Sequence, residues 1–264
     1  MGQKLTVLFL GDVIGQPGTR AVFTHLKQLA KKTAADLVVV NGENAAEGFG
    51  LTPEAVTTIF DAGATVITSG NHIWQRKEVF RLLDSEPRLL RPANYPPGVP
   101  GHGHCIVDVK GSRVAVVNLQ GRVRMARTDC PFRKANDLLR MLEKEADIVF
   151  LDFHAESTDE KEALAVYLDG SIAALVGTHT HVTTRDARVL PGGTAYVTDV
   201  GACGPSRSVI GFKPEISVRR VVTQLPLKNE VSETPATING VVVVVDAESG
   251  HAESINPIRE ESLV

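Results

Sequence analysis

Residues 5–12 read LTVLFLGD: a nearly unbroken apolar run that stops at a glycine and then an aspartate. A strand buried on both faces reads this way, whereas a half-exposed strand alternates. The same ending recurs twice. Leu37–Val40 runs into NGEN at 41–44, and Thr65–Thr68 runs into SGNH at 69–72. Helical stretches separate these runs. Val22, Leu26, Leu29 and Ala30 share one helical face, and Thr52 with Pro53 opens a second helix that ends before Gly63. This β-loop-α repetition predicts a parallel sheet with helices on its faces.

From Gly98 the pattern changes. Cys105–Val109 and Val114–Leu119, joined through Lys110-Gly111, predict an antiparallel hairpin. A helix over about 132–145, a strand over Ile148–Phe153, a capping box of Ser157 with Glu160, and a strand over Ala173–Val176 follow. Ala187–Leu190, Ala195–Thr198, Val218–Gln224 and Val241–Asp246 all read as strands. The expectation is one α/β domain over residues 1–264 with two packed sheets, the C-terminal part supplying most of the second.

Composition excludes several classes. The 264-residue chain is 43% apolar, carries a formal net charge of −3 and is 5% aromatic. It has no global attraction for polyanions and little stacking surface, so no extended nucleic-acid track is expected. No apolar run is long enough to span a membrane. Three cysteines, Cys105, Cys130 and Cys203, show no paired spacing, which points to a reducing, cytoplasmic compartment.

Five of the predicted strands end in groups that bind metals: Asp12, Glu43-Asn44, Asn71-His72, His154, and His179 with His181. Parallel strands bring such ends to one edge of a sheet. Singly, each has an ordinary reading. Asp12 suits an N-cap, Glu43-Asn44 a turn, Asn71-His72 a capping pair, and His154 a hydrogen-bonded structural histidine. His179 and His181, two residues apart, point the same way more readily. Coincidence at successive strand ends is what favours a metal site. Carboxylates, an amide oxygen and imidazoles suit manganese, iron or zinc. They outnumber what one tetrahedral ion needs, so two ions are expected. His102 and His104 have the same spacing but sit in a Gly/Pro loop and are set aside. Arg122, Arg124, Arg127 and Arg133 crowd one loop, and Ser206-Arg207-Ser208 another; each reads equally as phosphate contact or solvated surface.

The ordered series GDVIG, NGEN, SGNHIW, DFHAE and GTHTHV, with GPSRSVIGF near the C-terminus, resembles the calcineurin-like metallophosphoesterase superfamily. Within it the series is most similar to the YmdB-like branch of bacterial cyclic-nucleotide phosphodiesterases. The resemblance implies a four-layer αββα sandwich. It implies that Asp12 and His181 bind a first metal, that Asn71, His154 and His179 bind a second, and that Glu43 bridges them. Ile14 stands where the wider superfamily has a ligating histidine, and Asn44 is expected to replace it. The implied metals are iron or manganese first, with zinc compatible. The implied reaction is hydrolysis of a small phosphodiester, 2′,3′-cyclic nucleotides first, by a metal-held hydroxide with His72 as general acid. A nuclease and a low-turnover regulatory protein are the competing readings, and a homo-oligomer is compatible with all three.

Overall fold

The computed structural model describes residues 2–262. In chain order the elements are β1 (Lys4–Leu10), β2 (Asp12–Val13), α1 (Gly15–Lys32), β3 (Leu37–Asn41), α2 (Pro53–Asp61), β4 (Val66–Thr68), α3 (Phe80–Ser85), β5 (His104–Val109), β6 (Ser112–Gln120) and α4 (Pro131–Leu142). They continue with β7 (Ile148–His154), α5 (Thr158–Tyr167), β8 (Ala174–Thr178), β9 (Arg188–Val189), β10 (Ala195–Val197), β11 (Ala202–Pro205), α6 (Pro214–Thr223), β12 (Ala236–Asp246) and β13 (Ala252–Glu261).

Two mixed sheets result. One has seven strands in the order β2-β11-β12-β1-β3-β4, with β13 paired to β12, and the other has six in the order β5-β6-β7-β8-β10-β9. β1, β3 and β4 run parallel, as do β6, β7, β8 and β10. Their carboxyl ends meet at one end of the molecule, where Asn41 Nδ2 of β3 donates across the sheets to Asp152 Oδ2 of β7 at 2.9 Å. Apolar side chains fill three layers of contact. Val7, Val39, Val116, Val176 and Val243 pack between the sheets. Leu8, Val22, Leu26 and Ile59 pack the first sheet under α1 and α2, and Leu119, Leu138, Phe153 and Leu164 pack the second under α4 and α5. Three buried layers make a four-layer αββα sandwich. No helix among the described residues is long and apolar enough to cross a membrane.

Three expectations need correction. The C-terminal strands do not build the second sheet: residues 104–197 supply it, and β12 and β13 extend the first. The reason is a long-range pairing that local pattern does not encode, β12 lying antiparallel to β1 along its whole length. Val218–Gln224 is not a strand but most of α6. Its β-branched residues read as strand, yet Pro214 pre-sets the first helical turn and Val218, Val221 and Val222 fall at i, i+3 and i+4. Finally, the capping box at α5 is half formed. The Ser157 side chain accepts from the Glu160 N–H at 3.3 Å, but the Glu160 carboxylate turns away to accept from Arg122 N–H at 3.0 Å and Val123 N–H at 3.1 Å. By contrast, Thr52 caps α2 as expected, accepting from the Ala55 N–H at 3.3 Å.

β13 was not foreseen. Among the described residues it pairs only with β12, and it exposes Glu253, Asn256, Pro257, Arg259 and Glu261.

Candidate metal centre

Strand ends supply every member of the cluster. Asp12 follows β1 at a turn so close to the loop after β10 that a β-carbon on Gly11 would lie 1.9 Å from the Gly201 carbonyl oxygen. Only glycine fits there. Glu43 and Asn44 follow β3, Asn71 and His72 follow β4, His154 ends β7, and His179 and His181 follow β8.

The structure brings all eight together. Glu43, fully buried, has Oε1 3.1 Å from His154 Nε2 and 3.1 Å from His72 Nδ1. Its other oxygen accepts from the His72 N–H at 3.1 Å. His154 Nε2 also lies 3.1 Å from Asn71 Oδ1 and 3.0 Å from His179 Nδ1. Asn44 Nδ2 is 3.1 Å from His181 Nε2, and Asn44 Oδ1 is 2.8 Å from His72 Nδ1. Asp12 Oδ2 accepts from the His179 N–H at 3.1 Å, and Asp12 Oδ1 faces His154 Nδ1 at 3.7 Å. Ile14 is buried and its segment bridges that of Asn44, so an amide, not an imidazole, fills that corner.

The electrostatics favour a cation. Burial pushes the His154 pKa down, but the Glu43 and Asp12 carboxylates overcome it and raise it to about 9. The same exchange works on Glu43: burial pushes its pKa up, and His154 with His72 holds it well below the carboxylate range. Burial and the neighbouring His154 push His179 down to about 3, leaving its imidazole neutral with a lone pair to give. Asp12 goes the other way, raised by burial.

Do these residues fit a metal? Asp12 Oδ1 is buried with no hydrogen-bond partner, an arrangement that costs free energy unless a positive group meets it. Ligand atoms of Glu43, His154 and His179 all lie within 4.8 Å of one another. One proton on His154 Nε2 cannot satisfy an amide oxygen, a carboxylate and an imidazole at once. Behind the ring, Thr178 Oγ1 donates to Asp152 Oδ1 at 2.7 Å and so accepts from His154 Nδ1–H at 2.9 Å. That relay fixes the tautomer with Nε2 toward the cluster, as outer partners of metal-bound histidines do. The donor set therefore fits a metal.

A backbone signature marks the same place. His179 and His181 adopt φ of 102° and 64°. Such conformations cost a non-glycine residue about 1–3 kcal/mol each and cluster at functional sites.

Sequence reasoning missed two groups here. Asp199 follows β10 and lies beneath the 177–181 turn, paired with Lys161 of α5 at 2.9 Å. A signal existed for Asp199, since Ala195–Thr198 is another apolar run ending in a carboxylate. Lys161 carried none. The arginine-rich loop stays outside the cluster: Arg122, Arg124, Arg127 and Arg133 are exposed. Ser208 Oγ turns inward to the Pro205 carbonyl at 2.6 Å. His102 and His104 are also outside.

A carboxylate–imidazole–amide cluster at the strand-end edge of an αββα sandwich is the arrangement of the calcineurin-like metallophosphoesterases. The family model described as "YmdB-like protein" matches residues 8–258, and the chain belongs to that family. A Bacillus subtilis relative named 2′,3′-cyclic-nucleotide 2′-phosphodiesterase is 44% identical over 254 residues, 96% of each chain. A Thermus thermophilus protein of hypothetical function has a crystal structure that is 43% identical and superposes with a TM-score of 0.92 over 98% of this chain and 100% of that one. A Mycoplasma pneumoniae structure titled as a novel phosphatase is 36% identical, with a TM-score of 0.94 over 99% and 95%. The chain is an enzyme of the phosphoric ester hydrolase class.

Proposed function

We propose that the chain hydrolyses small phosphodiesters, 2′,3′-cyclic nucleotides foremost, at a centre of two transition-metal ions, iron or manganese. The observation that carries this reading is the convergence of eight strand-end groups around a buried, unpartnered carboxylate oxygen, in a chain 44% identical to a protein named for that reaction. Asp12, Asn44 and His181 would hold one ion, Asn71, His154 and His179 the other, with Glu43 between them. Bound there, the ions supply charge neutralisation for the phosphate and an activated water.

The chain's own residues do the rest. Asp152, through Thr178, keeps His154 aimed. His72 is 23% exposed, and its Nδ1 is held by Asn44 and Glu43. Phe49 meets its ring edge-on, the centroids 5.1 Å apart. A ring held at Nδ1 presents Nε2–H outward, where it can protonate the departing ribose oxygen; such a group contributes about 10²–10⁴-fold.

The test compares kcat/KM for 2′,3′-cyclic AMP, 3′,5′-cyclic AMP, a 5′-mononucleotide and a short RNA under one metal. The 2′,3′-cyclic compound should lead. RNA cleaved tenfold faster, about 1.4 kcal/mol of transition-state preference, would make the protein a nuclease. A lead for the mononucleotide would make it a phosphatase.

A further inference from the structure

We infer that Lys161 and Asp199 are positioning residues that set His179 and His181 toward the metals, an inference that rests on the two-metal reading above. Both side chains are fully buried, and Lys161 Nζ donates to Asp199 Oδ2 at 2.9 Å. The same oxygen accepts from the Thr180 N–H at 2.9 Å and from the Thr180 hydroxyl at 2.8 Å. The second carboxylate oxygen accepts from the Gly201 N–H at 2.9 Å. Asp199 thus ties Thr180 to the loop after β10.

Thr180 stands between the two histidines whose φ values are 102° and 64°. Side chains with a β-carbon avoid that region unless the surroundings hold them there. Here the holding group is identifiable. Thr180 offers a backbone N–H and a hydroxyl, and both go to Asp199. If Thr180 is released, the turn relaxes toward negative φ and the flanking imidazoles rotate away from His154 and Asn44.

Lys161 has a defined part in this. A lone carboxylate in a dry interior takes up a proton, and the acid form loses acceptor strength. The ammonium group from α5 keeps Asp199 ionised, so it can accept three donors on one oxygen. Buried ion pairs add little stability over apolar packing of the same volume. Fixing a strained turn is a task that apolar packing cannot do.

The probe is Mn²⁺ alone, titrated by electron paramagnetic resonance into the metal-free full chain, with melting temperature read in parallel. Wild type must bind Mn²⁺ and His154→Ala must not; failure there refutes the metal-site reading itself. Given that, Asp199→Asn, Lys161→Met and Thr180→Val should each weaken Mn²⁺ binding tenfold or more, and Lys161→Arg should restore most of the loss. Lys161→Met with Asp199→Asn guards against misfolding, because it leaves no unpaired buried charge; it should fold and still bind Mn²⁺ at least tenfold more weakly. Leu29→Ala, in the α1 core far along the helix, calibrates general destabilisation. It should lower the melting temperature and leave affinity within twofold. If the double variant folds and binds Mn²⁺ like wild type, the pair is a fold element only and the inference is wrong.

Discussion

Gly70→Ala isolates the steric side of the metal centre. Gly70 does not adopt positive φ, so alanine brings no backbone strain. What it brings is one methyl group. That carbon would lie 2.1 Å from His154 Cδ2, 2.3 Å from His154 Nε2 and 2.3 Å from Glu43 Oε2. Both side chains are fully buried and hydrogen-bonded, so neither can swing aside freely. Overpacking of a dense interior costs about 1–3 kcal/mol. The metal-free protein can relax part of this by turning the His154 ring. The metal-bound state cannot, because its ligands must converge. The penalty therefore falls on binding, and at tenfold per 1.4 kcal/mol it amounts to about a 5–100-fold loss of affinity. Calorimetric titration of Mn²⁺ into metal-free wild type and variant measures it, with circular dichroism to show that the fold persists. A variant with wild-type affinity and rate would mean that Glu43 and His154 do not converge on a metal beneath Gly70, and the reasoning would fail.

Other outcomes follow from the same geometry. Glu43→Gln should bring metal content down from about two ions per chain, measured by elemental analysis, because an amide bridges poorly. His72→Ala should keep its metal and lose turnover of 2′,3′-cyclic AMP by about 10²-fold or more, while a p-nitrophenyl ester, which needs little protonation to leave, suffers less. Loss of metal in that variant would make His72 a ligand. Chelation followed by Mn²⁺ should raise the melting temperature in proportion to the logarithm of free metal; a flat response would argue against a native-state site. Burial raises the Cys105 and Cys203 thiols to about 12, whereas Cys130 is only partly buried. Ellman's reagent should therefore label one thiol in the native protein and three after denaturation.

The strand-end residues were legible because their meaning depends on a local pattern, an apolar run followed by glycine and a polar ligand. A parallel sheet then gathers such ends without further information. The second sheet was legible up to β10 for the same reason. The C-terminal third was not. Nothing within Val241–Asp246 states that its partner lies at Lys4–Leu10, and nothing in SVRRVVT separates a strand from an exposed helix except the proline before it. Lys161 was silent because its role is held in a contact with Asp199, thirty-eight residues away in sequence. Ligands announce themselves by type and position, whereas the groups that aim them do not.

The edge formed by β13 bears on how the enzyme behaves in a crowded solution. An open strand edge is a template on which another polypeptide can lay down hydrogen bonds. Here the outermost strand presents Glu253, Arg259 and Glu261 with Pro257 among them, and proline has no N–H to offer. An incoming strand would meet unfavourable charge at some registers and a missing donor at another. The first sheet is thereby closed to growth on that side, and the protein can be abundant without its apolar strands seeding one another.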